Sequence, residues 1–207
     1  MRSRTVIAVA AAGALAVVAI LVVVIAGMQA VPEFSDLAGS GETGYVAYAS
    51  GESEPPTSVR IVDLSSRETV EVSMPREGEA AGWDEDGNLM VVQWGPTLRV
   101  KHVDPATGEQ VGEIEELDGE FADPMQREDV WVTHQDGRLV LERTDGQTAS
   151  FAAPDSYQVT NASSMGEDHV VFVDELGRVA VCPVGEDVTP VQVADDAQPW
   201  FWVTART

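Results

Sequence analysis

One short acidic stretch of the sequence carries residues that could bind a metal ion. Asp84, Asp86 and Asn88 stand at alternate positions before a hydrophobic run, so their side-chain oxygens could be presented to a calcium ion. The glutamate that closes a calcium loop is missing, because Gly95 stands at the twelfth position counted from Asp84. The same residues also fit a tight Asp-Gly hairpin turn, which forms without any metal. The stretch therefore predicts a turn, with a calcium site as the alternative.

The histidines and the single cysteine give no sign of catalysis. His102, His134 and His169 share no spacing that would bring two of them together as metal ligands. The chain also lacks the sequence motifs of serine hydrolases, zinc peptidases, P-loop proteins and dinucleotide-binding proteins. We expect Cys182 to be a small buried residue at the end of a strand, with an intermolecular disulfide as the alternative in an oxidising compartment. The sequence predicts no catalytic residue and no cofactor.

Two further groups of residues could make contacts. Near the C-terminus Trp200, Phe201 and Trp202 form a dense aromatic cluster; a strand here would bury one face and leave the other as a possible interaction patch. Arginines recur at intervals of 39, 39 and 40 residues: Arg60, Arg99, Arg138 and Arg178. We expect each arginine to pair with an acidic residue on a neighbouring strand, and a ring of cationic contacts is the alternative.

These residues belong to a chain that repeats itself about every 40 residues. Short β-branched runs bounded by Gly, Asp, Asn and Pro predict strands. One set begins at residues 45, 89, 130 and 170, a second at 59, 98, 138 and 178, and a third at 69, 110, 148 and 189. Less regular segments precede the units: 79–83, 119–123, 157–162 and 198–203. Each unit thus predicts three hairpin-linked strands and one connecting strand, as in a propeller blade.

The second unit carries the most specific form of the repeat. It contains Trp-Asp-Glu-Asp-Gly-Asn-Leu-Met-Val-Val at 83–92, Leu-Arg-Val at 98–100 and Asp-Pro-Ala-Thr-Gly-Glu at 104–109. This pattern resembles the WD-like β-propeller repeats of bacterial extracytoplasmic proteins, in which an Asp-Gly turn introduces the second strand and an Asp-x-x-x-Gly turn joins the third and fourth. The resemblance covers about residues 45–207 and implies an architecture rather than a chemistry, because propellers have many unrelated functions.

We therefore predict an all-β fold, a small β-propeller of about four blades, preceded by one N-terminal transmembrane helix. The segment from Pro199 to Val203 has no further unit after it. We expect it to be the strand that completes the first blade and closes the ring. The alternatives are an open arc and an arc that completes its ring by self-association.

The N-terminus predicts where the protein lies. Residues 6–26 carry no charged or hydrogen-bonding side chain and would span about 31 Å as a helix, enough to cross a bilayer. Arg2 and Arg4 precede this run, which by the positive-inside rule leaves the N-terminus in the cytoplasm. A cleaved signal peptide is the alternative. The predicted organisation is a cytoplasmic tail at 1–5, a transmembrane helix at 6–27, a linker at 28–43 and an extracytoplasmic propeller-like domain at 44–207.

The charge of the chain argues against one class of partner. The sequence has 35 acidic and 12 basic residues, for a formal charge of -23, so it is poorly suited to bind nucleic acid. We predict a membrane-anchored binding or scaffold module whose partner is another envelope protein or a ligand. The alternative is an extracytoplasmic hydrolase or lyase that uses carboxylates at the propeller mouth, and a calcium-dependent adhesion module is a weaker third.

Overall fold

The described part of the chain is built from β-strands. The structure, a computed structural model, describes residues 31–51, 53–74, 78–93, 95–117 and 129–207. Sixteen strands and no helix occur in these residues. Their bounds are β1 Ser35–Asp36, β2 Tyr45–Ser50, β3 Ser58–Asp63, β4 Thr69–Ser73, β5 Gly78–Trp83, β6 Leu89–Gln93, β7 Leu98–Val103, β8 Gln110–Leu117, β9 Val130–Gln135, β10 Arg138–Arg143, β11 Thr148–Ala152, β12 Val159–Met165, β13 His169–Asp174, β14 Val179–Pro183, β15 Val191–Ala194 and β16 Val203–Arg206.

Within these ranges the strands form four sheets, which we number in chain order. The first sheet has the order β16-β2-β3-β4, the second β5-β6-β7-β8, the third β11-β10-β9 and the fourth β1-β15-β14-β13-β12. Neighbouring strands pair antiparallel, except that the short β1 pairs parallel with β15. Most neighbours in a sheet are consecutive in the chain because short turns join them.

The repeat in the sequence corresponds to these sheets. The first predicted set of runs lies in β2, β6, β9 and β13, and the second lies in β3, β7 and β10 and overlaps β14. The third lies in β4, β8 and β11 and shares only its second half with β15. Two of the connecting segments, 79–83 and 157–162, coincide with or overlap β5 and β12. A third, 119–123, lies outside the described residues. The short β-branched runs therefore locate the strands well.

Two loops show the repeat at the level of single hydrogen bonds. Asp63 ends β3 and Asp104 follows β7. Asp63 Oδ1 accepts hydrogen bonds from the N–H groups of Ser65 and Ser66, at 2.8 and 3.2 Å. Asp104 Oδ1 accepts from the second and third N–H groups after it, at 2.8 and 3.2 Å as well. In both repeats the aspartate side chain thus satisfies backbone donors that the turn would otherwise leave to water.

The core is divided among the interfaces between sheets. In β2, Val46 and Tyr48 pack between the first and fourth sheets, whereas Ala47 and Ala49 pack between the first and second sheets. Alternate residues of a strand point to opposite faces, so a strand that is hydrophobic at every position can fill two interfaces. A further interface, around Phe172, lies between the third and fourth sheets.

The fold is all-β as predicted, but the prediction of a β-propeller is wrong. No closed propeller is found in the described residues, where three sheet-to-sheet interfaces are filled: first with second, first with fourth, and third with fourth. A ring of four sheets needs a further interface between the second and third. The second sheet instead carries a small separate cluster of Val92, Leu98 and Val100. The period of a sequence identifies the repeating unit, but packing between units decides how the units are arranged.

The C-terminal strand lies later than predicted. β16 pairs with β2 and so completes the first sheet, through residues such as Val203 opposite Tyr48. The predicted segment from Pro199 to Val203 enters this strand only at its last residue. The reason is Trp200, whose φ of 71° is a left-handed conformation that cannot continue a strand. The chain therefore turns at Trp200 and becomes extended only at Val203.

The predicted transmembrane helix and the single-pass membrane location also need correction. The ranges given above contain no helix, and hence none of a length and hydrophobicity that would span a bilayer. The predicted tail at 1–5 and span at 6–27 lie outside those ranges. Part of the predicted linker belongs to the fold, because β1 pairs with β15 and the Phe34 ring lies 5.9 Å from the ring of Phe172.

Candidate interaction surface

The three aromatic residues of the predicted patch have different surroundings. Trp202 is buried between the first and second sheets, and Phe201 packs against the same cluster. Trp200 is 69% exposed, the largest exposed fraction of any large hydrophobic residue that the structure describes. In an extended strand Trp200 and Trp202 would share one face, but the turn at Trp200 separates them. Of the predicted patch, Trp200 is therefore the residue that can meet a partner.

Hydrogen bonds tie the turn that carries Trp200 to two neighbouring segments. The Ala197 N–H donates to the carbonyl oxygen of Gly177 at 3.0 Å. The Gln198 N–H donates to a carbonyl oxygen of β2 at 3.0 Å. The side-chain amide of Gln198 donates to the carbonyl oxygen of Ser53, in the β2–β3 loop, at 2.7 Å. Trp200 is therefore presented on an anchored turn.

A second exposed apolar side chain lies on the adjoining turn, between β13 and β14. Leu176 is 53% exposed, the second largest such fraction in the described residues. It directly precedes Gly177, whose carbonyl oxygen binds the N–H of Ala197. This hydrogen bond brings the turn of Leu176 next to the turn of Trp200.

A buried aspartate shapes the turn of Leu176. Asp174 is 0% exposed, and its Oδ1 accepts from the N–H groups of Leu176 and Arg178, both at 2.9 Å. Its Oδ2 binds the Arg178 guanidinium at 2.6 and 2.7 Å and the Tyr157 hydroxyl at 3.1 Å. Burial, together with the charge of Asp174, raises the pKa of Tyr157. The carboxylate is thus fully compensated, as a buried charge must be.

Three acidic residues lie on the same segments as the two exposed apolar residues. Glu175 precedes Leu176, Asp195 begins the segment that leads to Trp200, and Glu54 lies in the loop bound by Gln198. Within the part of the chain that the structure describes, these three acids form no salt bridge. We call the five residues the Trp200 rim: Trp200, Leu176, Glu54, Glu175 and Asp195.

Each of the four repeated arginines forms a salt bridge, and the prediction of an acid on a neighbouring strand is confirmed for Arg60 and Arg99. Arg138 instead binds an aspartate in the β14–β15 loop, and Arg178 binds across the β13–β14 turn. The pairs are Arg60–Glu71, Arg99–Glu116, Arg138–Asp187 and Arg178–Asp174. Arg60 also binds Asp196, whose other oxygen accepts from the Tyr48 hydroxyl at 2.9 Å. The arginines nearest the Trp200 rim, Arg60 and Arg178, are therefore neutralised by their own partners, and the rim keeps its negative charge.

The turn predicted at Asp84 is present and uses the carboxylate itself. Asp84 Oδ1 accepts from the Asn88 N–H at 2.8 Å, and Oδ2 accepts from the Asn88 side-chain amide at 3.0 Å. Burial raises the pKa of Asp84, but the hydrogen bonds from Asn88 and His102 outweigh burial and lower the pKa to about 2. Asp86 is exposed. No group of three or more His, Cys, Asp and Glu that could hold a metal occurs in the described residues, and the calcium site stays a prediction.

The histidines lie at separate places in the fold. The contacts are His102 Nδ1 to Asp84 Oδ2 at 2.7 Å, His134 Nε2 to the Tyr157 carbonyl oxygen at 2.9 Å, and His169 Nε2 to Glu42 Oε2 at 3.2 Å. An Asp–His pair can orient an imidazole for general-base catalysis. The Nε2 atom of His102, however, faces Glu115 Oε1 at 3.8 Å, and a carboxylate is not a nucleophile that this imidazole would activate. The sequence did not reveal the Asp84–His102 pair because the two residues meet only through the β6–β7 hairpin.

Cys182 is fully buried in β14, which confirms the prediction of a small buried residue. Burial, with a smaller contribution from the charge of Glu42, raises the pKa of its thiol to about 12. The thiolate is the reactive form of cysteine, so a buried and protonated thiol is unsuited to form the alternative intermolecular disulfide.

A polar cavity of about 470 Å³ lies on the third sheet. Its lining residues are Gln135, Asp136, Arg138, Val140, Thr148, Ser150 and Glu186. The guanidinium of Arg138 binds Asp187 and also donates to Ser150 Oγ at 2.9 Å. The guanidinium of Arg138 is thus already bound by other groups of the protein.

Comparison with known proteins identifies no family. No protein-family model matches the chain, and no curated protein matches it. The resemblance to bacterial propeller repeats therefore stays a prediction, and the function has to be argued from the surface of this chain.

Of the five residues of the Trp200 rim, the sequence singled out only Trp200. Glu175 and Leu176 directly precede Gly177 in the β13–β14 turn. One signal was available: a leucine at the tip of an Asp-x-x-Gly turn, where polar residues are usual. The turn of Leu176 adjoins the turn of Trp200 only in the tertiary structure, because Leu176 and Trp200 are 24 residues apart in the chain.

Proposed function

We propose that this chain is a protein-binding module that captures its partner at the Trp200 rim and catalyses no reaction. The observation that carries the proposal is that Trp200 is 69% exposed and has a positive φ of 71°. A bulky residue in this conformation costs about 1–3 kcal/mol, and exposed apolar area adds to the cost. Such costs are found mainly where a side chain must be presented for binding.

The chemistry of the Trp200 rim suits a protein partner. Tryptophan is among the residues most enriched at the energetic centres of protein interfaces. Leu176 adds exposed apolar area on the adjoining turn, and the acids of the same segments supply polar groups like those at the edge of an interface. The hydrogen bonds of Ala197 and Gln198 fix the turn in advance, so that less conformational entropy is lost when a partner binds.

The two carboxyl groups whose pKa is lowered, Asp63 and Asp84, are unsuited to act as general acids. Burial raises the pKa of Asp63, but hydrogen bonds from Ser66 and Ser65 outweigh it and lower the pKa, as happens at Asp84. A carboxyl group with a lowered pKa stays ionised near neutral pH, whereas a general acid needs a raised pKa. These two groups serve turns rather than proton transfer.

Selection from a random peptide library tests the proposal. The full chain is immobilised, and bound peptides are enriched in parallel against the Trp200→Ala variant. We expect a set of peptides that binds the wild type and is lost with Trp200→Ala. Thermal unfolding of the variant checks that the fold is intact, which is expected because Trp200 is exposed.

Trp131→Ala provides the matched control. Trp131 is also an exposed tryptophan, 47% exposed on β9 of the third sheet, but it lies away from the rim. Peptides that bind the Trp200 rim should be retained by this variant. If no peptide depends on Trp200, or if every enriched peptide is lost equally with Trp131→Ala, the proposed function is wrong.

A further inference from the structure

We infer that the partner presents a basic polypeptide segment, with the cationic group of a Lys or Arg side chain placed on the indole face of Trp200. The inference rests on the proposed function and specifies the chemistry of the ligand. It is drawn from the charge around Trp200, the type of the exposed side chains and the anchoring of the turn.

The net charge of the Trp200 rim is negative. Glu54, Glu175 and Asp195 form no salt bridge within the residues that the structure describes. The two arginines nearby are bound to Asp196 and Asp174. The described residues of these segments therefore carry a net negative charge, which favours a positively charged ligand there.

The charge of the whole chain acts in the same direction. The sequence carries 35 acidic against 12 basic residues. A field of this sign attracts basic segments from a distance and repels acidic ones, so it increases the association rate for a basic partner. The Trp200 rim then decides where on the protein such a segment is held.

The two exposed apolar side chains match the two parts of a Lys or Arg side chain. The indole of tryptophan is the strongest aromatic acceptor of a cation in proteins. Leu176 can cover the aliphatic stem, which a bound Lys or Arg buries while its charge stays near the acids. A neutral apolar ligand would use Trp200 and Leu176 but would leave the three acids without partners.

The turn that carries Trp200 is suited to hold such a ligand. Ala197 is bound to Gly177 and Gln198 to Ser53, so the indole sits on a backbone fixed from two sides. A backbone that is fixed in advance loses little conformational entropy on binding, so more of the gain from a cation–π contact is kept.

Fluorescence anisotropy with defined peptides tests the inference on the full chain. The probes are a labelled peptide of alternating Lys and Ser, the matching Glu and Ser peptide, and a peptide of Gly and Ser. We expect the Lys peptide to bind and the other two not to bind. Trp200→Ala should weaken the binding of the Lys peptide by roughly threefold to thirtyfold, and Trp200→Phe by less.

Two variants distinguish peptide binding at the Trp200 rim from nonspecific electrostatic attraction to the acidic chain. Trp131→Ala should leave the binding within about twofold, because that tryptophan lies outside the rim. Glu175→Gln combined with Asp195→Asn should weaken binding of the Lys peptide and reduce its dependence on salt. If Lys-peptide binding is the same in wild type and Trp200→Ala, the attraction is general and the inference is wrong.

The two proposals fail in different ways. If library peptides depend on Trp200 but are neutral or acidic, and the Lys peptide does not bind, the proposed protein-binding function is supported. The inference of a basic ligand is then wrong. If no peptide of any composition depends on Trp200, both proposals are wrong. A set of Trp200-dependent library peptides rich in Lys and Arg, together with the loss of Lys-peptide binding in Trp200→Ala, supports both.

Discussion

Arg67 occupies in the first sheet the left-handed backbone position that Gly108 occupies in the second. Their φ angles are 65° and 73°, and each N–H donates to the carbonyl oxygen of the aspartate four residues earlier, at 2.7 and 2.8 Å. Glycine adopts this conformation freely, whereas an L residue costs roughly 1 kcal/mol or more. The same loop is therefore formed with different local strain in the two repeats.

Replacing Arg67 by glycine should relieve that strain. We expect Arg67→Gly to raise the free energy of unfolding by up to about 1 kcal/mol, because the relief is partly offset by the greater freedom of glycine in the unfolded chain. Urea denaturation followed by tryptophan fluorescence measures the change. A clear loss of stability would show that the Arg67 side chain contributes more than its backbone conformation costs.

The converse change at Gly108 should be harmful. A Cβ atom there would overlap Val70 Cγ1 and would also sit at positive φ. We expect Gly108→Ala to lower the free energy of unfolding by more than about 2 kcal/mol. The matched control is Gly146→Ala, at a φ of 84° with no atom within 4 Å of the added Cβ, which should cost only about 1 kcal/mol. Equal losses in the two variants would contradict the steric argument.

The buried pair of Asp174 and Arg178 should be far more important than an exposed pair. Asp174→Ala leaves the Arg178 guanidinium and the Tyr157 hydroxyl without their partner, so we expect a loss of about 3–5 kcal/mol in the free energy of unfolding. The Arg99–Glu116 pair has side chains 53% and 57% exposed, and Glu116→Ala should change stability by less than about 1 kcal/mol. Chemical denaturation of both variants checks the contrast, and similar losses would contradict it.

The hydrogen bonds of Asn88 should control the titration of Asp84. Its folded pKa of about 2 is below the unfolded value of about 3.9, so its contribution to stability is present above pH 3.9 and is lost as the pH falls towards 2. Asn88→Ala should raise the pKa of Asp84 towards the unfolded value and weaken this acid dependence. NMR titration of the carboxyl carbons measures both effects. Asp63, whose lowered pKa depends on Ser65 and Ser66, should not change; an unshifted Asp84 would refute the assignment.

The C-terminal strand should be essential to the first sheet. Ala205 is buried between the first and fourth sheets, so Ala205→Asp places an unpaired charge in that core and should cost more than about 3 kcal/mol. Thr204 lies on the same strand but is partly exposed, and Thr204→Asp should cost less than about 1 kcal/mol. Thermal unfolding compares the two variants. If Ala205→Asp unfolds at the same temperature as the wild type, β16 does not contribute to the stability of the domain.

Local patterns predicted local structure well. The runs of Val, Ile and Leu located the strands, since a strand buried on both faces carries a nearly continuous hydrophobic run, as at 45–49 in β2 and 170–173 in β13. The turn at Asp104 was also identified, because this aspartate acts on backbone groups two and three residues away. The pairing of Arg60 with Glu71 followed from the same short-range geometry, in which the two residues face each other across adjacent strands.

The arrangement of the sheets and the location of the Trp200 rim were decided by tertiary structure. The sequence by itself determined the strands, the turns and the strongly acidic charge, because these depend on residue type and on contacts a few residues apart. It did not determine whether the units close into a ring, because that depends on packing between faces far apart in sequence. Nor did it show that Leu176 and Trp200 lie on adjoining turns, or that Trp202 is buried while Trp200 is exposed. Those outcomes follow from one left-handed residue and one hydrogen bond between Ala197 and Gly177, which exist only once the sheets have packed together.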